Sequence, residues 1–167
     1  MPPEKIFSKD RAAVIRMAIF AFGTIVILAA ASFVIMRIVP PPTPPAVANP
    51  GLATETITVG TAKINAEVAA TPAAQRQGLS DRTVLASGSG MIFPISPAAQ
   101  PGFWMNKMHI PLDFIYLNGG AVVELKEHVP YTDLIPFFPN EPVDAVLEVN
   151  AGFISANNIS VGEAAAY

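Results

Sequence analysis

The chain has 167 residues, 51% of them apolar and only 14% charged, with a net charge of −3 and no cysteine. Without a thiol it has no disulfide framework, no lipoprotein-type acylated cysteine and no thiol nucleophile. The length suits one domain with a modest core, plus appendages.

Residues 17–36, "MAIFAFGTIVILAAASFVIM", are uncharged and bounded by Arg16 and Arg37. As a helix rising about 1.5 Å per residue, this run spans roughly 30 Å, the thickness of a bilayer's hydrocarbon core. Helix is also the conformation that satisfies its own backbone where no water is present. Lys5, Lys9, Arg11 and Arg16 precede the run, against Glu4 and Asp10, whereas only Arg37 follows closely. The positive-inside rule therefore predicts a cytoplasmic tail at 1–16 and a transmembrane signal anchor at 17–37. On this reading the protein is a single-pass inner-membrane protein, the bilayer is the partner of residues 17–36, and the C-terminal domain is periplasmic or extracellular. A cleaved secretory signal is the rival reading, with "AVA" at 46–48 as its processing site. The apolar run, however, exceeds the roughly 7–15 residues of a signal-peptide core.

A linker follows at 38–50. Its "PPPTPPAVANP" stretch holds six prolines in eleven residues. Such a segment favours polyproline II at about 3.1 Å per residue, a semi-rigid stalk of roughly 35 Å. The remaining 51–167 form an extracytoplasmic domain with five basic residues (Lys63, Arg76, Arg82, Lys107, Lys126) and eleven acidic ones, net −6. Such a domain, lacking a basic cluster, is not suited to nucleic acid or anionic lipid head groups.

Within it, "ETITVGTAKINAEVAA" at 55–70 alternates in apolar character with β-branched residues, predicting one or two strands. "TPAAQRQGL" predicts a short helix with Thr71 as N-cap, Pro72 at the first helical position and Gly78 as the stop. "GMIFPI" at 90–95 and "GFWMNKM" at 102–108 read as strands. "LDFIYL-NGG-AVVELKEHV" reads as a hairpin whose Asn-Gly supplies the φ > 0 turn positions. "YTDLIPFFPNEP" is a Pro-rich loop and "VDAVLEV" a further strand. "NAGFISANNISVGE" supplies a turn, a short helix and a closing segment. The expected fold is mainly β, a β-sandwich or partly closed barrel with one or two short helices, too small for two cores.

Several chemistries can be weighed against these residues. Only His109 and His128 are available as imidazole bases, and no G-x-S-x-G occurs, so a serine triad is not supported. His109, Asp113, His128 and Asp133 lack a recognised zinc spacing, so no metal site or cofactor is assigned. Met91, Met105 and Met108 with His109 are the ligand types that suit Cu(I). The same methionines are also ordinary core fillers beside Phe103 and Trp104. Asp113, Glu124, Glu127 and Asp133 are candidate acid–base carboxylates, with nothing to place two of them face to face. If 102–108 is a strand, Phe103, Met105 and Lys107 share one face and Trp104, Asn106 and Met108 the other, with Trp104 or Phe103 anchoring the buried side. Asn106 and Lys107 then either face solvent or meet Asp113 in a cleft. Arg76 is another candidate partner for Asp113.

Three segments together, "AATPAAQRQGLSDRTVLASGSGMIFPI", "GFWMNKMHIPLDFIYLNGGAVVEL" and "DAVLEVNAGFISANNISVGE", resemble the DUF192 family of domains of unknown function. Arg76, Gly78, Leu79, Gly90, Met91, Phe93, Phe103, Trp104, Met105, Pro111, Leu112, Asp113, Leu147, Glu148, Ala151 and Gly152 match its pattern. The chain departs from that pattern at Ser80, where the family usually has Met, and at Asn106-Lys107-Met108, which replaces Lys-Asn-Thr. The resemblance implies a β-rich, sandwich-like fold and a membrane or exported location, and it assigns no activity.

The reading that follows is a membrane-anchored, noncatalytic module of the cell envelope that binds a ligand or protein partner. Its candidate binding residues are Arg76, Trp104, Asn106, Lys107 and Asp113, which combine aromatic surface with a few polar groups. The alternatives are an envelope hydrolase using Asp113 with His109 or Lys107, and copper handling through Met91, Met105, Met108 and His109.

Overall fold

The computed structural model describes residues 51–167. The expected tail, membrane span and proline-rich linker lie outside the described residues. Among those described, no helix is long and apolar enough to cross a membrane.

The elements run β1 (Thr54–Val59), β2 (Ala62–Val68), α1 (Pro72–Gln77), β3 (Ser89–Ala99), β4 (Leu112–Asn118), β5 (Ala121–Val129), β6 (Val143–Asn150), α2 (Phe153–Ala156) and β7 (Ala165–Ala166). They build one seven-stranded sheet in the order β5-β4-β6-β3-β2-β1-β7. Neighbours are antiparallel except β2 and β3, which run parallel and are therefore joined by a long crossover that carries α1. Beyond its pairing with β1, the C-terminal segment also reaches the opposite edge of the sheet. Ala164 bridges Ala121, the Val122 amide donates to the Glu163 carbonyl at 2.9 Å, and the Ala165 amide donates to the Gly120 carbonyl at 2.8 Å. The result is a single curled sheet, a half-barrel closed at one corner, and not two stacked sheets.

The local signals in the sequence explain most elements. Thr71 caps α1 by accepting from the Ala74 amide at 3.1 Å, Pro72 opens the helix and Gly78 ends it at φ 50°. The β4–β5 hairpin forms where the sequence predicts it, but Gly119 and Gly120 occupy the two positive-φ turn positions, at 59° and 77°. Asn118 instead ends β4 and donates its side-chain amide to the Pro142 carbonyl at 3.1 Å.

Two expectations fail. The domain holds two apolar clusters instead of one core, because the sheet buries both faces. Ile57, Ile64, Ile92, Ile115, Leu117, Leu147 and Val149 fill the inside of the curl. Their sequence neighbours Met91, Phe93, Phe114, Tyr116 and Val146 point outward and are covered by Leu79, Leu85, Met105 and Met108 from the connecting loops. The second failure is the strand at 102–108. It is a loop that forms one isolated bridge, from Phe103 to Phe137 in the loop between β5 and β6, and turns at Asn106-Lys107 with Lys107 at φ 58°. Met105 and Met108 are buried three residues apart, so strand alternation does not hold there.

β3 and β6 approach closely at Gly90, which pairs with Val149. A Cβ on Gly90 would stand 2.6 Å from the Glu148 carbonyl oxygen, a backbone atom that cannot swing aside. Gly90→Ala is therefore expected to cost about 1–3 kcal/mol of stability, read by urea denaturation.

Candidate functional site

A cleft of about 180 Å³ opens where the crossover between β2 and β3 meets the 101–108 loop over the outer face of the sheet. Its sides come from α1 and the turn after it (Gln75 to Ser80) and from Pro101 to Trp104. Its base comes from Phe93 on β3, Leu112 on β4 and Glu148 on β6. Phe93 and Phe103 meet edge to face, with ring centroids 5.3 Å apart. From Phe103 the same arrangement continues to Phe114 at 5.7 Å and Phe137 at 5.0 Å, so the aromatic wall is braced by the outer core. Trp104 stands at the mouth, 58% exposed.

Glu148 is the unusual group. Its register pairs it with Met91 on β3 and Phe114 on β4, between Leu147 and Val149, whose side chains enter the inner cluster. The residue is only 6% exposed, and its carboxyl makes no hydrogen bond or ion pair among the described residues. Burial pushes its pKa up from 4.5 to about 8, and the nearby Arg82 guanidinium only partly offsets this. Near neutral pH the base of the cleft is therefore mostly an uncharged carboxylic acid.

Arg82 does not pair with Glu148 because both of its terminal nitrogens are held elsewhere. They donate to the two carboxylate oxygens of Glu67 at 2.7 Å each, in a buried bidentate pair. Tyr116, two residues along β4 from Phe114, has a hydroxyl without a hydrogen-bond partner among the described residues. Its pKa is driven upward by burial first and then by the charges of Glu124 and Glu148.

The five residues singled out in the sequence fall in three places. Arg76 and Trp104 line the cleft; Asn106, Lys107 and Asp113 do not. Asn106 and Lys107 are exposed at the loop's turn, and their carbonyls accept from the Ser80 hydroxyl at 3.3 Å and the Asp81 amide at 2.8 Å. Asp113 is fully buried, and its carboxylate accepts from the backbone amides of His128 at 2.7 Å and Ile154 at 3.0 Å. A β-bulge in β5 opposite Leu112–Phe114 puts His128 at φ 54° and turns its N–H towards that carboxylate. At α2 the N-cap is Gly152, which has no side-chain acceptor, so Asp113 supplies the capping oxygen from β4. Asp113→Asn keeps one acceptor and loses the other, with an expected cost of about 1–3 kcal/mol in urea denaturation.

The other chemistries meet the same geometry. No hydrogen bond or ion pair links Asp113 to His109 or Lys107 among the described residues. Met91, Met105 and Met108 are buried in the outer cluster, while His109 is exposed. No three His or carboxylate residues among those described are placed to share a metal ion.

Sequence reasoning did not single out Glu148, Arg82 or Glu67 as partners in one region. The available signal was "AVLEV" in β6, an almost continuous apolar run of the kind found in strands covered on both faces. A glutamate inside such a run has to be buried.

A model of the DUF192 family, described as Uncharacterized ACR, matches residues 55–166. Two crystal structures are similar. One is a protein of unknown function from Novosphingobium aromaticivorans DSM 12444, 32% identical, with a TM-score of 0.68 over 75% of this chain and 94% of that one. The other, from Sinorhizobium meliloti 1021, is described as a proposed transcription regulator; it is 27% identical, with a TM-score of 0.66 over 69% of this chain and 94% of that one. No curated protein matches the chain. With the family pattern spanning nearly the whole β-domain and two solved half-barrels of the same build, the chain belongs to the DUF192 family.

Proposed function

We propose that the chain is a single-pass inner-membrane protein whose DUF192 domain, held outside the cytoplasm, binds a small ligand in the Trp104 cleft without transforming it. The uncharged run at 17–36 and the basic residues before it support the anchor and its orientation. The observation that carries the binding role is the cleft's composition: an exposed indole and two braced phenyl rings around a single unpartnered carboxyl. Ligand sites combine apolar walls with a few polar groups in this way. A noncatalytic role is supported by the cleft's acid–base inventory. Glu148 is its one carboxyl among the described residues, and the Ser80 hydroxyl is engaged with a backbone carbonyl. Paired-carboxylate acid–base chemistry calls for a second positioned carboxyl.

Trp104 is the only tryptophan of the chain, so emission reports on the cleft directly. In the full-length protein its emission is expected to be red-shifted and readily quenched by acrylamide. A saturable blue shift and protection are expected when a small-molecule ligand binds. A screen of envelope metabolites that leaves emission and melting temperature unmoved refutes the binding role; turnover of any bound compound refutes the noncatalytic one. For the topology, a reporter active only outside the cytoplasm is expected to work when fused after Tyr167 and to be silent when fused before Met1. The reverse pattern refutes the orientation.

A further inference from the structure

We propose that the cleft receives a small organic cation, an ammonium or guanidinium group on a compact apolar body, which pairs with the Glu148 carboxylate between the rings of Phe93, Phe103 and Trp104. This inference rests on the cleft being the binding site and adds the chemistry of what enters it.

Glu148 is a residue only 6% exposed whose carboxyl has no hydrogen bond or ion pair among the described residues, so its anion is costly and it either keeps a proton or takes a cation. Among the described residues, no lysine or arginine forms an ion pair with Glu148. The adjacent Arg82 is held by both oxygens of Glu67, and Arg76 on α1 is exposed at the rim. A ligand cation fills that vacancy in the charge pattern. The walls suit it as well, because the faces of phenyl and indole rings attract cations, most strongly where water is excluded. The net charge of −6 on residues 51–167 draws cations towards the domain and repels anions.

The charged and titratable groups around Glu148 are Arg82 from the crossover, Glu67 behind it on β2, Tyr116 on β4 and Arg76 at the rim. Lys107 and His109 belong to the neighbouring loop but do not line the cleft. Burial holds the proton on Glu148 up to about pH 8. A bound cation stabilises the ionised form and lowers that value, so cation binding at pH 7 expels a proton. A neutral or anionic ligand leaves the proton in place.

The test uses the full-length chain in lipid nanodiscs with three probes of one shape: benzylammonium, benzyl alcohol and benzoate. Empty nanodiscs give the baseline for partition into lipid. Titration calorimetry at pH 7 in two buffers of different ionisation enthalpy counts the protons released. Benzylammonium is expected to bind tightest, to release close to one proton, and to lose about tenfold or more in affinity in Glu148→Gln. The proton count on the unaltered chain decides the matter even if the variant fails to fold. Equal or better binding of the alcohol or benzoate, or amine binding without proton release, overturns the cation and leaves the cleft as a binding site. If none of the three binds while other compounds move Trp104 emission, the cation again falls alone. If nothing binds in either experiment, both inferences fall.

Discussion

Glu148→Gln is expected to stabilise the domain at pH 8 by on the order of 3–5 kcal/mol and to flatten its stability profile between pH 4.5 and 8. The sign follows from proton counting. Folding raises the pKa of Glu148 from 4.5 to about 8, with burial as the main cause. Between those values the folded protein holds a proton that the unfolded chain has released. Stability therefore falls as pH rises through this window, by about 1.4 kcal/mol per unit, and levels off above about 8. Below pH 4.5 both states are protonated and the contribution vanishes. Glutamine resembles the protonated acid in shape and has no charge to bury, so the variant lacks this slope. Urea denaturation of both proteins at pH 5, 6.5 and 8 isolates the effect as the difference between two profiles. Parallel profiles would mean that Glu148 is solvated or paired in the native protein.

Arg82→Ala is expected to act in the opposite direction, with a loss of about 3–5 kcal/mol at pH 7. The guanidinium holds both oxygens of Glu67, and both residues are almost completely buried. Truncating Arg82 leaves the carboxylate of Glu67 inside the protein without its bidentate partner. It also removes the positive charge that partly offsets the burial of Glu148, so the onset of Glu148 ionisation moves to higher pH. Domains of this size have total stabilities of about 5–15 kcal/mol, so the variant sits near the edge of folding. Replacing the pair together, as Glu67→Gln with Arg82→Met, is expected to cost much less, because no buried charge is left over. If the double variant is as unstable as the single one, the pair matters for shape and packing more than for charge.

What could be read in the sequence was local. The α1 cap, the alternation in β1 and β2 and the glycine turn of the β4–β5 hairpin each depend on residues within a few positions of one another. The 102–108 segment misled because Phe103, Trp104, Met105 and Met108 make it as apolar as a strand. The burial of Met105 and Met108 comes from a loop folded down over the outer face of the sheet. Asp113 was legible as a polar residue in an apolar setting, but its role was not. Its carboxylate meets one amide 15 positions away and another 41 away, both set by the folded register. The cleft was half legible for the same reason. Arg76 and Trp104 stand out as isolated residues, whereas the relation of Glu148 to Arg82 and Glu67 requires β6 beside β3 and β3 beside β2.

The closure at the corner of the half-barrel bears on self-association. Unpaired strand edges recruit other strands, and proteins commonly guard each edge separately with charge, proline or a covering segment. Here residues 162–166 lie against β1 on one side and the start of β5 on the other, so one short segment shields parts of both outer strands. The Tyr167 hydroxyl tethers this segment further, donating to Asp144 while it accepts from the Gly120 amide. Loosening that tether uncovers two templates at once, on strands that come from opposite ends of the sheet. A molecule opened in this way can be extended by a second chain in either direction. Strand-by-strand association would thus start from the same few residues that close the half-barrel.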